Sequence, residues 1–229
     1  MIVSMLLAHL VGDYILQWNK LAYWKSRELK GVTVHCLIVL GVTWLFALPF
    51  DPTWWDGVLL ISGLHFLIDA SQLLLKPRIA PMARFALDQV AHFLVIFMVL
   101  AWSGFLDWSN VTVQLTAVFH NDRLLLYLLG YAFVTMPAWV IIKFLAYGLV
   151  QGDAPEFGGN SKYLGIAERV LMTTFVAMGQ FLLVPLVAAP RLFMEWREIN
   201  ANEQTAVYLA ELLVSVILAV LIGLALSTL

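Results

Sequence analysis

Apolar runs follow one another along the whole chain, near 2–18, 31–50, 56–76, 82–104, 123–150, 164–189 and 206–228. Each is long enough to supply the roughly 17–25 residues that cross the hydrocarbon of a bilayer. Inside hydrocarbon every backbone N–H and C=O must find a partner within the protein, which leaves only helices and closed barrels. Barrel strands alternate apolar and polar residues, and these runs are continuous. The expected fold is therefore an all-α, polytopic transmembrane helix bundle of about seven spans. Composition agrees: 62% of residues are hydrophobic and 12% are charged, against about 25% charged in soluble domains, and the mean hydropathy is +0.88.

Charge placement orients the bundle. Lys20, Lys25, Arg27 and Lys30 crowd the first loop, and Lys76, Arg78 and Arg84 the third. The second loop, with Asp51 and Asp56, has no Lys or Arg, and neither does the stretch 105–122. By the positive-inside rule the amino terminus is expected outside and the basic loops in the cytoplasm; for a bacterial chain, which the resemblance described below implies, the membrane would be the inner one. Three regions follow: a His/Asp-rich four-helix unit over 1–104, an outer interfacial loop over 105–122 that holds His120, and a three-helix unit over 123–229. A further loop is expected over Gly152–Lys162, and Pro137 is placed to kink the fifth span. The apolar start without a basic leader reads as a retained first span rather than a cleaved signal.

Against this apolar background, His9, Asp13, His35, His65, Asp69, Asp88 and His92 stand inside the spans. Each costs roughly 2.5 kcal/mol or more at the bilayer centre, so ionisable residues there mark function by default. Four of the five histidines lie in the first 92 residues. His9-Leu-Val-Gly-Asp13 and His65-Phe-Leu-Ile-Asp69 repeat one His-x-x-x-Asp pattern, and helical residues four apart share a face. His35 follows His9 by 26 positions and His92 follows His65 by 27. Two hairpins related by a parallel internal repeat are expected. At about 1.5 Å per residue from the cytoplasmic ends, Asp13, His35, Asp69 and Asp88 come roughly 6–10 Å deep, and His9, His65 and His92 roughly 13–16 Å. All seven thus share one layer of the membrane.

Imidazole and carboxylate suit zinc first, and also iron or manganese. All seven residues are candidate ligands of a divalent metal. Asp13, Asp69 and Asp88 double as candidate general bases, and Lys25 and Arg169 as candidate contacts to a substrate headgroup. Each element has a plainer role: a single histidine in a span can simply bond a neighbouring helix, and Asp–His pairs can neutralise one another. Gln17 and Gln89 read as interhelical hydrogen-bonders. The single Cys36 allows no internal disulfide and no cysteine cluster, and reads as a small apolar residue. A net charge of −2 lacks the concentrated basic face that nucleic acid needs.

The motifs His9-x-x-x-Asp13-x-x-x-Gln17, Lys25, His35, His65-Phe-Leu-Ile-Asp69 and Leu87-Asp88-Gln89-x-x-His92 resemble the bacterial multi-pass membrane proteins grouped as domain of unknown function 3307. The second half resembles longer members through Leu164-Gly-Ile-Ala-Glu168-Arg169, Gly179-Gln180 and Ala188-Ala189. Gln72 and Pro190 stand where the resemblance leads one to expect lysines. It implies no reaction.

From the residues, the leading expectation is a metal-dependent hydrolase of a lipid or lipid-linked substrate at the cytoplasmic leaflet. A transporter or proton/metal conduit is the alternative from another class, and a non-catalytic membrane assembly subunit a third. Membrane lipids are the expected partners, with a homo-oligomer or a membrane-protein partner left open.

Overall fold

In the computed structural model, which describes residues 1–75, 79–150, 161–201 and 205–229, all regular structure is helical. Two compact units result, Met1–Leu129 and Gly130–Leu229.

The first unit contains α1 (Ile2–Leu10), α2 (Asn19–Lys25), α3 (Leu29–Ala47), α4 (Trp55–Leu75), α5 (Pro81–Trp102) and α6 (Val111–Asn121). Helix α1 packs against α3 and α5, α3 against α4, and α4 against α5, closing a four-helix ring. Side-chain bonds show that neighbours run in opposite directions. Ser4 Oγ, near the start of α1, donates to the Phe46 carbonyl at the end of α3 (2.6 Å). Trp54, just before α4, donates from Nε1 to Ser103 Oγ just after α5 (2.8 Å). That end of the ring is apolar and dry, built on Met5, Ala47, Trp54, Val58, Val99 and Leu100. The other end is polar.

Burial is inverted relative to a water-soluble bundle. His9, Asp13, His35, His65, Asp69 and His92 are buried, while Leu37, Leu45, Leu59, Leu67, Leu94 and Met98 point outward and are more than half exposed. A soluble protein hides apolar side chains and shows charge. Outward leucines around a polar interior are the arrangement of a membrane protein.

Among the described residues four helices are long and apolar enough to cross a membrane: α3, α4, α5 and α11 (Thr205–Ser227). The pair α7 (Arg123–Val134) and α8 (Met136–Val150), bent by 44°, counts as a fifth if taken as one span. The other two expected spans take different forms. The apolar helix at the start ends at Ile15, about 21 Å long at 1.5 Å per residue. The run 164–189 is interrupted: α9 (Ser161–Ala177) stops at Gly179, whose φ of 75° reverses the chain before α10 (Leu183–Ala201). A positive φ suits glycine and ends helices. Nor is 105–122 a plain loop: a 3₁₀ turn at Trp108–Asn110 leads into α6, which carries His120. Asp107 caps that turn by accepting from Ser109 N (2.9 Å). The expected loop at 152–162 falls almost wholly outside the described residues, as do Lys76 and Arg78.

In the second unit Arg169 of α9 bonds backbone carbonyls at the bend before Pro137, including that of Thr135, which also accepts from Trp139 N (3.2 Å). Its Nε donates to the Val134 carbonyl (2.7 Å) and its Nη2 to that of Thr135 (3.1 Å). Non-helical backbone at membrane depth persists only when such partners exist. Helix α11 packs on α8 and α9. Its Gly223 has no room for a side chain, since a Cβ there would lie 2.8 Å from the Thr173 carbonyl and 2.6 Å from Val176.

Candidate metal centre

The polar end of the ring is assembled from α1 to α5. His9 sits in the last turn of α1, and the chain then widens into a π turn over Val11–Ile15, closed by Leu16 N–H to the Val11 carbonyl (2.8 Å). Such bulges re-aim side chains and recur at functional sites. This one carries Asp13, whose Oδ1 reaches His35 Nε2 of α3 at 3.0 Å. Gly12 lets the turn approach Val39, where a Cβ would meet Val39 Cγ2 at 3.3 Å.

Four ligand-type atoms then come together. His35 Nε2 lies 3.1 Å from His65 Nε2, 3.0 Å from Asp13 Oδ1 and 3.5 Å from Asp69 Oδ2. His65 Nε2 lies 3.8 Å from Asp13 Oδ1 and 3.5 Å from Asp69 Oδ2. Zinc bonds to nitrogen or oxygen of about 2.0–2.1 Å imply a tetrahedron with edges of roughly 3.3–3.4 Å. Asp13, His35 and His65 present one ligand atom each within 4.8 Å of one another, which fits three protein ligands of a divalent ion with a position left open, and Asp69 approaches both imidazoles from the side.

A second group lies alongside. Asp69, Asp88 and His92 also present one ligand atom each within 4.8 Å of one another. His92 Nδ1 donates to the Asp88 carbonyl at 2.8 Å. This bond fixes the proton on Nδ1 and leaves Nε2 with a lone pair. Among the described residues the buried Nε2 atom has no hydrogen-bond partner, which leaves its lone pair available to a metal. Cys36 belongs to this neighbourhood as well: its Sγ, one His65 nitrogen and one Asp69 oxygen lie within 4.8 Å of one another. Expected as mere apolar packing, the thiol is thus in reach of the ligand set. Its place next to His35 in sequence was the only signal.

His9 is placed differently from the other three histidines. Its Nε2 pairs with Gln89 Oε1 (3.2 Å), while Gln89 Nε2 donates to Asp88 (3.1 Å) and, more weakly, to Asp13 (3.5 Å). With the amide nitrogen giving both its hydrogens to carboxylates, Oε1 must accept, so His9 Nε2 is the donor. His9 stacks on His92 at 5.4 Å between ring centroids. Gln89 is therefore an interhelical hydrogen-bonder, and it orders the whole flank of the site.

Lys25 goes deeper than a headgroup contact at the rim. Its Nζ lies 3.0 Å from Asp69 Oδ2 and 3.4 Å from Asp13 Oδ1. Burial works against the ammonium, but the two carboxylates outweigh it and raise its pKa above the usual lysine value. The need for such a cation was readable: three carboxylates in a membrane interior require a counter-charge. That Lys25 and not Lys20 or Lys30 supplies it was not. The side chains of Lys25 and Asp88 are each 20% exposed, against 7% or less for Asp13, Asp69 and the four histidines. The way in is on their side.

Arg169 belongs to the second unit, with two of its nitrogens bound to carbonyls as described above. His120 lies in α6 and Gln17 near the π turn, where its buried Oε1 has no hydrogen-bond partner among the described residues.

The sequence profile of the family described as "Protein of unknown function (DUF3307)" matches residues 1–119. The chain belongs to this family. The matched stretch carries every residue of the His/Asp cluster together with Lys25 and Gln89, whereas the motifs from Leu164 to Ala189 lie beyond it. No curated protein and no solved structure matches the chain.

Proposed function

We propose that this DUF3307 protein is a metal-dependent hydrolase of the bacterial inner membrane, acting on a lipid or lipid-linked substrate at the cytoplasmic leaflet. The observation that carries the proposal is the grouping of Asp13, His35 and His65, one ligand atom each within 4.8 Å of one another, in a buried ring with Asp69 alongside. Zinc suits imidazole and carboxylate ligands best, with iron or manganese as alternatives. A bound divalent ion brings the pKa of water toward about 7 and polarises an ester or phosphoryl oxygen. Asp88, the most open carboxylate, takes the proton. His92 lies beside it, and His9 with Gln89 holds that flank in register. With the charge of Asp13 taken up by a divalent ion, Lys25 would be free to pair with a phosphate of the substrate. This role falls to Lys25 rather than Arg169, whose guanidinium is committed to Val134 and Thr135.

Seven crossings with the amino terminus outside complete the proposal, supported by the basic residues of loops 20–30 and 76–84. The matched spacing of the two His-x-x-x-Asp motifs, with Asp13 and Asp69 both meeting Lys25 and His35, supports a two-hairpin repeat. A second reading, a proton or metal conduit, is favoured by one observation: Lys25 Nζ, the carboxylates, His35 and His65 form a continuous chain of contacts of 3.0–3.5 Å, as a proton relay requires.

The test is elemental analysis of protein purified in detergent without chelator, beside His65→Ala and His92→Ala. About one divalent ion per wild-type chain, lost in His65→Ala while the bundle stays helical, is expected, with lipid hydrolysis that follows the ion. Metal-free protein that retains its function in cells refutes the metal centre. Bound metal with vesicle uptake and no hydrolysis of any lipid class decides for the conduit.

A further inference from the structure

A second group of acceptors flanks the first centre. One ligand atom from each of Asp69 of α4 and Asp88 and His92 of α5 lies within 4.8 Å of the others. Asp88 and His92 are one helical turn apart and share a face. His92 is 2% exposed. Its Nδ1 donates to the Asp88 carbonyl (2.8 Å), so the nitrogen left for a ligand is Nε2. Among the described residues His92 Nε2 and Asp88 Oδ1 are both buried without a hydrogen-bond partner. With the carboxylate ionised, both are acceptors and neither can satisfy the other. Burying an unpaired acceptor is costly, most of all for a charged one.

A cation satisfies both acceptors, and Lys25 is engaged elsewhere. Its Nζ is held between Asp13 Oδ1 and Asp69 Oδ2. Asp69 also meets His35 and His65 through Oδ2, which leaves Oδ1 for a second ion. A carboxylate with one oxygen on each ion can join two ions at the separation of about 3.5–4 Å found in two-metal sites. Charge closes as well. Two divalent ions are balanced by the carboxylates of Asp13, Asp69 and Asp88 and one hydroxide, once Lys25 turns to the substrate phosphate.

We infer that Asp69, Asp88 and His92 bind a second divalent ion beside the first, with Asp69 shared between the two. The inference rests on the metal centre proposed above only through that shared ligand. One imidazole and two carboxylates suit manganese, iron or zinc. The Asp88 side chain is 20% exposed, so this is the more open site and fills after the first, on added metal. A second ion acidifies the water directly, and Asp88 then serves as its ligand instead of taking the proton.

The experiment uses the full-length protein in detergent, stripped with chelator and titrated with manganese(II). Bound metal is counted by equilibrium dialysis, and electron paramagnetic resonance reports whether the ions are coupled. Two ions per chain are expected, and the hyperfine signal of an isolated manganese should give way to a broad, exchange-coupled one as the second enters. Asp88→Asn, nearly isosteric, should weaken the second ion by at least the roughly 10–100-fold that loss of an outer partner costs, and leave the first with its isolated signal. His92→Gln should do the same and keeps the test decisive if Asp88→Asn does not fold. Saturation at one ion per chain overturns the inference and leaves the first centre standing, whereas no bound ion overturns both. Two uncoupled ions, or a second ion held equally well in folded Asp88→Asn and His92→Gln, also overturn it.

Discussion

Replacing Lys25 by methionine separates a metal centre from a self-neutralised cluster. Lys25 Nζ lies 3.0 Å from Asp69 and 3.4 Å from Asp13. At an effective dielectric constant of about 20 each contact contributes roughly 5 kcal/mol of gross Coulomb attraction. Desolvation of the ammonium offsets much of this, and removing one partner of a buried ion pair costs about 3–5 kcal/mol net. For a chain of this size the loss corresponds to a fall in Tm of roughly 6–20 °C. Methionine keeps most of the stem volume, so the change is chiefly one of charge. Two carboxylates left facing one another become a stronger cation site. The expected result is that Lys25→Met in chelator unfolds well below wild type, and that zinc or manganese restores about 2.7 kcal/mol at a concentration 100 times its Kd. The assay is thermal unfolding by tryptophan fluorescence in matched detergent, with chelator and with metal. If the variant in chelator melts at the wild-type temperature, the electrostatic reasoning about the cluster is wrong. If it is destabilised but no divalent ion restores it, the donor set does not bind metal.

Gly31→Ala should act on the same cluster indirectly. A Cβ at Gly31 meets Trp24 and Lys25 backbone atoms at 2.5–2.7 Å, so α2 must move and take Lys25 with it; a loss of about 1–3 kcal/mol and a gain in metal affinity are expected, and an unchanged Tm by the same fluorescence assay counts against the close α2–α3 contact. Single cysteines introduced at Arg27 and Thr53, in a Cys36→Ala background, should label from opposite sides of the membrane, Arg27 from the cytoplasm. Labelling of Arg27 from outside overturns both the orientation and the substrate leaflet.

The helical, membrane-borne character of this chain was legible because it depends on composition and run length alone. The convergence of His35, His65, Asp13 and Asp69 was nearly so. Helix direction and residue count place side chains at a common depth, and i,i+4 spacing gives each pair a common face. Three features required tertiary structure. The π turn at Val11–Ile15 depends on close packing of Gly12 against Val39, and no local pattern announces it. The counter-ion is Lys25 because α2 folds back over Gly31, a contact between elements rather than a property of either. Arg169, expected at a headgroup, donates to the Val134 and Thr135 carbonyls at the bend before Pro137, a contact between helices that no local pattern announces. Sequence by itself determined the medium, the helices and the inventory of ligand atoms, since these follow from solvation and backbone bonding. Which atoms face one another, and which cation neutralises them, depends on distances of about an ångström between helices, and only their packing settles those.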